Sequence, residues 1–335
     1  MNKLIFPVMG AILLCSTFGI AQDNLWSSGR PDGHAPISIM ADHYHKKGEI
    51  MFSYRFMPMW MSGNLSSAKE ISEAEIHEDY MVAPQKMKMT MQMLGFMYAM
   101  SDGLTFAVMG NHIANDMDLV TGMREGFVTK SSGFGDVSVS GLLKIVNGNK
   151  QSLHTTIGIS IPTGNIDQRD DTPMMANAQL AYPMQLGSGT WDPYLGVTYL
   201  GQSTNFSWGV QPSYKLRLGT NTEDYALGNL LNVVAWGAIK ASDYLSFSTS
   251  INYCNLGEIT GQDADLNPMM MPLFNTVNSG RNQMDLGVGS NFYISSGGLK
   301  NLRLGLEVKI PVSQSVNGIQ MKNTLATTFG VQYSL

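Results

Sequence analysis

The sequence predicts an all-β protein, an antiparallel transmembrane β-barrel of about twelve strands with short periplasmic turns and long external loops. Three observations predict it. The chain opens on an export leader; no later stretch approaches the ~20 apolar residues of a membrane helix. From residue 50 onward, segments near the ~9–11 residues of a tilted barrel strand alternate apolar and polar side chains. A chain that spans a bilayer without helices must close its sheet, because an open strand edge in hydrocarbon leaves backbone groups without partners.

The leader comes first. Met1-Asn-Lys3 is a short basic start, Leu4 to Phe18 is apolar but too short to span, and Gly19-Ile-Ala21 offers small residues for cleavage. Residues 1–21 therefore read as a signal peptide, 22–49 as a periplasmic N-terminal segment and 50–335 as the barrel. Removing the leader also removes Cys15, so Cys254 has no partner for an intrachain disulfide. A formal charge of −5, 14% charged residues and 35 glycines exclude a basic nucleic-acid footprint and a disordered chain.

The candidate strands are 50–61, 87–99, 104–112, 134–146, 152–163, 190–200, 206–218, 229–240, 244–256, 282–294, 301–312 and 323–335. Their connections alternate in length. Ser101-Asp-Gly103, Asn147-Gly-Asn-Lys150, Ala241-Ser-Asp243 and Ser295-Ser-Gly-Gly298 are tight turns rich in residues that tolerate positive φ, as is the stretch 201–205. Between them fall loops at about 62–86, 113–133, 164–189, 219–228, 257–281 and 313–322. This sorting puts both termini on the periplasmic side.

Parity assigns the faces. In the ninth strand Leu245, Phe247, Ile251 and Tyr253 alternate with Ser246, Ser248, Ser250 and Asn252. In the eleventh, Leu302 to Ile310 alternate with Arg303, Gly305, Glu307 and Lys309. The same test turns His154, Lys215 and Arg217 toward the lumen. The last strand ends on an apolar residue preceded by alternating aromatics, which resembles the end signal of bacterial outer-membrane proteins and implies the barrel-assembly machinery as a partner during biogenesis; Leu335 stands where a terminal Phe is usual.

Methionine supplies the candidate site. Met57, Met59 and Met61 share a face with Arg55, which belongs in the lumen because a guanidinium facing acyl chains costs several kcal/mol. Met87, Met89, Met91, Met93 and Met97 share the face opposite Leu94, Phe96 and Tyr98, and Met109 joins them from the third strand. Neighbouring antiparallel strands would merge these into one inward patch. Such a patch either packs the interior, since thioethers are soft apolar filler, or forms a ladder of ligands for a soft cation, Cu(I) or Ag(I). No other cofactor is implied.

His34, Met40, His43 and His45 fall in the N-terminal segment, where His43-Tyr-His45 could clamp a metal ion or form a hydrogen-bonded pair. The acidic loop from Ser67 to Asp79 suggests a short surface helix capped by Ser67 with Glu70 three residues on. Asp263-Ala-Asp265-Leu-Asn267 begins like a calcium loop but has Pro268 and Phe274 where Gly and Glu are required.

The stretches His34-Ala-Pro-Ile to Gly48-Glu with Tyr54-Arg55, Tyr80-Met-Val-Ala-Pro84 to Leu94-Gly-Phe-Met-Tyr98, Gly133-Phe-Gly-Asp136, Ile161-Pro-Thr-Gly164 and Tyr182-Pro-Met-Gln-Leu-Gly-Ser-Gly189 resemble an outer-membrane transporter-like family. Its members are commonly labelled as components of the MetA pathway of phenol degradation. The Met- and His-rich segments resemble a subgroup associated with copper and heavy-metal resistance. The resemblance spans nearly the whole mature chain and carries over no functional residues.

A catalytic barrel would need a Ser and a His together on the lipid-facing rim. His112 has the outward parity but no Ser or Thr to pair with, so no catalytic residue is assigned and an enzyme is not expected. The sequence thus points to an outer-membrane channel with a Met-lined lumen that handles soft metal ions. Its alternatives are a conduit for hydrophobic or aromatic small molecules and a non-transporting structural barrel.

Overall fold

The structure, a computed structural model, describes residues 26–335; the leader lies outside them. Twelve strands form the wall: β1 (Ile50–Ser66), β2 (Val82–Ser101), β3 (Leu104–Thr121), β4 (Val137–Gly148), β5 (Gln151–Ile161) and β6 (Asp192–Gln202). The second half is β7 (Phe206–Lys215), β8 (Leu230–Lys240), β9 (Leu245–Leu256), β10 (Arg281–Tyr293), β11 (Leu302–Val316) and β12 (Ile319–Ser334). Each strand pairs antiparallel with its neighbour in sequence, and β12 pairs with β1 to close the sheet. Tyr54 faces Val331 and Phe56 faces Phe329 across the seam, and Ile50 and Leu335 exchange backbone hydrogen bonds at its periplasmic end.

The alternation read from the sequence sorts the side chains as a membrane requires. Leu94, Val288 and Phe52 are 67%, 62% and 51% exposed on the outside. Ser53, Thr105, Ser140, Thr198 and Gln332 are buried within. The outer surface is therefore apolar where acyl chains would lie, and the inner one is polar.

Five strands, β1, β2, β3, β11 and β12, run several residues farther outward than apolar alternation suggested. β2 and β3 continue through residues assigned to loops, and a further strand, Gly126–Phe134, adds to the edge of β3. The period of two persists there, but the outer face turns charged: Lys86 opposes Asp118, Lys88 opposes Asp116, and Lys130 lies 3.6 Å from Asp116. Such strands have risen out of the hydrocarbon, so their outward residues meet water.

The helix cap also moves. Lys69–Ile71 is a short strand folded back on β1, and Ser67 has the positive φ (56°) of its turn. The helix is Glu73–Ile76, capped by Ser72 with Glu75 closing the capping box. The acidic loop holds two Ser-x-x-Glu signatures, and hairpin formation takes the first.

Val288→Arg, which puts a guanidinium on the lipid face of β10, is expected to destabilise the barrel by about 2–4 kcal/mol if Val288 lies near the midplane. Denaturant unfolding in bilayers measures this.

Candidate functional site

The pairing of β1 with β2 sets methionines directly opposite one another. Met57 faces Met91, Met59 faces Met89, Met61 faces Met87, and Arg55 faces Met93. On the other side of β2, Met87 opposes Met117, and Gly95 opposes Met109. The run is one continuous inward patch, but its surroundings change along the barrel axis.

At the outer end the external loops fold into the mouth. Met61, Met87, Met117 and Met321 pack there against Leu180, Met184, Met271 and Leu273. At mid-depth Met91, Met93 and Met109 line an open cavity of about 490 Å³. At the inner end Met51 and Met97 pack with Leu142 against Ala41 and Tyr44. Met57, Met59 and Met89 are half-buried between these zones.

Ala41 and Tyr44 belong to a segment that the sequence left in the periplasm. Residues 26–49 instead enter the barrel, turn near Ile37, and leave toward β1. The lumen holds them by their backbone. Arg55 Nε donates to Ile37 O at 2.7 Å, and Arg303 donates to Ala35 O. Ser246 Oγ donates to Pro31 O at 2.8 Å, Gln211 donates to Met40 O at 3.0 Å, and Ser38 N donates to Glu307 at 3.1 Å. His154 Nε2 lies 2.9 Å from Ala41 O. Arg55, His154, Arg303 and Glu307, read as lumen-lining, therefore act as anchors for a plug. A segment without secondary structure can be buried this way because side chains of the wall replace the hydrogen bonds that a ladder would supply.

The remaining lumen charges lie elsewhere. Lys215 sits over the Tyr194 ring at 5.8 Å, and Arg217 is paired with buried Asp192. Lys309 is half-buried on β11 opposite Gly287. His112 packs edge-on to Phe134, with centroids 5.6 Å apart.

A second open cavity, about 340 Å³, lies beneath the loops between Met61, Met87, Met321, Leu256 and Leu273. Arg217 and Leu227 line both this space and the mid-lumen cavity, so the two meet at that pair. A continuous space thus runs inward from the mouth to Met40 of the plug, with apolar and polar side chains sharing its wall.

His43 and His45 are buried at the periplasmic end, with ring centroids 4.9 Å apart. His34 joins them, its centroid 4.8 Å from that of His43. Burial pushes the His34 imidazole down to about 3 and the neighbouring Arg303 charge acts in the same direction, so the ring is neutral. Burial opposes ionisation of Asp42, yet His43, His34 and Arg303 hold its carboxyl well below the usual carboxylate range. The sequence contained His34 and Asp42, but only the turn of the plug brings them to the His43-x-His45 pair.

Comparison with known proteins bears on the fold. No family model matches the chain, and no curated protein matches it. Among solved structures it is similar to the COG4313 outer membrane channel from Pseudomonas putida F1, with a TM-score of 0.61 and 13% identity over 89% of this chain and 99% of that one. It is also similar to the transport unit of the autotransporter AIDA-I from Escherichia coli, with a TM-score of 0.51 and 11% identity over 89% of this chain and 94% of that one. The protein has the fold of bacterial outer-membrane barrels, with an apolar belt on its outer face.

The plug has a steric weak point. Its Ile37 lies over Gly305 and Gly330, and a Cβ built on Gly305 would fall 2.6 Å from the Ile37 Cβ. Gly305→Val combined with Gly330→Val is expected to displace the plug while leaving the wall intact. Planar-bilayer recordings should then show a single-channel conductance well above that of the parent protein.

Proposed function

We propose that this barrel is a channel for small neutral apolar or aromatic molecules, closed toward the periplasm at rest by residues 26–49. The observation that carries the reading is the pair of joined cavities, in which Met91, Met93, Met109 and Leu230 of one and Met61, Met87, Leu256 and Leu273 of the other supply apolar wall among polar side chains such as Asp136, Lys215 and Arg217. Spaces of about 340 and 490 Å³ fall within the ~300–1,000 Å³ typical of small-molecule sites.

The energetics suit passage better than storage. Burying about 150–200 Å² of apolar solute surface returns roughly 4–5 kcal/mol before the cost of immobilisation. Net binding is then weak, favourable enough for entry and loose enough for exit, as conduction requires. Methionine, with three rotatable bonds, adapts to solutes of different shape.

A soft-metal route is the second reading, favoured by one specific observation: four methionine pairs stand directly opposite each other on β1 and β2, in register for two sulfurs to share an ion. Against it, the outer sulfurs are packed among leucines and further methionines rather than beside water. The apolar reading accounts for those neighbours as well as for the ladder.

Fluorescence titration of the purified barrel with 1-aminoanthracene tests the proposal. Met87→Asp combined with Met91→Asp is expected to weaken binding at least about tenfold, because a carboxylate in an apolar wall costs more than ~1.4 kcal/mol. Unchanged affinity would overturn the reading. Replacing Met87, Met89, Met91 and Met93 by Leu conserves volume and should hold aromatic binding within about threefold. If the same variant instead loses stoichiometric Ag(I) binding that the parent protein shows, the soft-metal reading takes its place.

A further inference from the structure

We infer that His34, Asp42 and His43, with His45 beside them, form a site for a borderline divalent cation of the Zn(II), Co(II) or Cu(II) class, and that this ion fastens the plug in the lumen. One potential donor atom from each of His34, Asp42 and His43 lies within 4.8 Å of the other two, and all three residues are buried. Imidazole and carboxylate are the donors such ions take, whereas a soft monovalent ion would favour sulfur. The site is therefore distinct from the methionine ladder and independent of what the channel carries.

The spacing suits an ion. His34 Nδ1 is 3.8 Å from Asp42 Oδ2, too far for a hydrogen bond and close to the ~3.3 Å that separates two donors of a tetrahedral ion with ~2.0 Å bonds. On the same metal, two imidazoles bring their ring centroids to roughly 5 Å. The His34–His43 and His43–His45 centroids lie at 4.8 and 4.9 Å.

The polar accounting points the same way. Neither ring nitrogen of His34 has a hydrogen-bond partner, although the residue is only 6% exposed, and His45 Nε2 is likewise buried and unpartnered. Buried polar atoms seldom go unsatisfied without a reason, and a role as metal ligands is one such reason. Outer groups are in position to orient the donors: the backbone N–H of Ala35 donates to Asp42 Oδ2 at 3.1 Å, and His45 Nδ1 lies 3.3 Å from Glu49. Arg303, the nearest cation, stands 3.9 Å from Oδ2 and leaves Oδ1 to the side of His43, whose Nδ1 lies 2.9 Å from it. A cation entering there displaces the shared proton.

An ion has a way in. The three histidines border a cavity of about 550 Å³ that also reaches Ser295 and Lys300 in the turn after β10. His34 lies on the inbound arm of the plug, and His43 and His45 lie on the outbound arm. An ion bound to both arms would keep the turn around Ile37 closed.

The test uses the full barrel, purified without an affinity tag and titrated with Co(II). The expected result is one equivalent bound, with the visible ligand-field absorption of low-coordinate Co(II), displaced by Zn(II). His34→Gln should weaken binding at least about tenfold, and His34→Ala with His43→Ala should abolish it while heat-modifiable mobility shows the barrel still folded. Bound Co(II) should also protect the 26–49 segment from protease in the parent protein and not in the double variant. Absence of the absorption, or binding and protection that survive the double substitution, would overturn the site. Aromatic binding is read separately, so failure here leaves the channel proposal standing.

Discussion

Closure of β12 onto β1 is the constraint on which the rest of this structure depends. In hydrocarbon each unpaired backbone group costs several kcal/mol, so a sheet that spans the membrane has no tolerable edge. The seam meets that demand from Met51–Ser334 outward, with irregularities only beyond Trp60. Once the sheet is closed, period-two alternation leaves each side chain either lipid or lumen. A single residue such as Arg55 then assigns a whole strand face, and the methionines follow it inward. The same closure makes the lumen a confined polar tube, wide enough to admit a segment of the chain itself.

That logic explains what could be read from the sequence. All twelve strands, their order and the sorting of short and long connections were legible, because lipid outside and polar inside write themselves as alternation over ten residues. The signal fades where the solvent changes. Beyond the membrane Lys86, Lys88, Asp116 and Asp118 occupy outward positions that inside the bilayer would be Leu or Phe, so the extended ends of β2 and β3 resembled loop. The competition between Ser67 and Ser72 for the helix cap was decided by a hairpin that pairs Asn64 with Ile71, a tertiary outcome invisible to a capping pattern.

The plug was not legible, for a different reason. Residues 26–49 carry no periodicity because they make no ladder; their backbone is held by side chains far away in sequence, including Arg303 and Glu307. Strand parity marks those side chains as inward-facing charges but does not say what they face. A lumen lined by Arg303, Glu307, Arg55 and His154 contains the donors and acceptors that an extended peptide presents. Inward charges otherwise costly to bury are evidence that something polar lies against them. The histidine cluster follows from the same turn: eight residues lie between His34 and His43 along the chain, and the bend of the plug removes that distance.

The methionine ladder can now be interpreted by depth rather than as one object. At the mouth its sulfurs join an apolar cluster with the folded-in loops, at mid-depth they face open space, and at the base Met51 and Met97 support the plug. Branched residues could fill any one of these settings, but in the channel proposed above the middle one must change its contents, and the two ends must let loops or plug move if anything is to pass. A wall that repacks around variable contents needs side chains with several accessible rotamers and little preference among them, which is what an unbranched thioether offers and Val or Ile does not. In this chain, methionine at alternate positions is therefore a statement about mobility of the lumen surface as much as about its polarity. It is also why anchoring falls to a different chemistry, the guanidinium, carboxylate and imidazole groups that hold residues 26–49 from the other side.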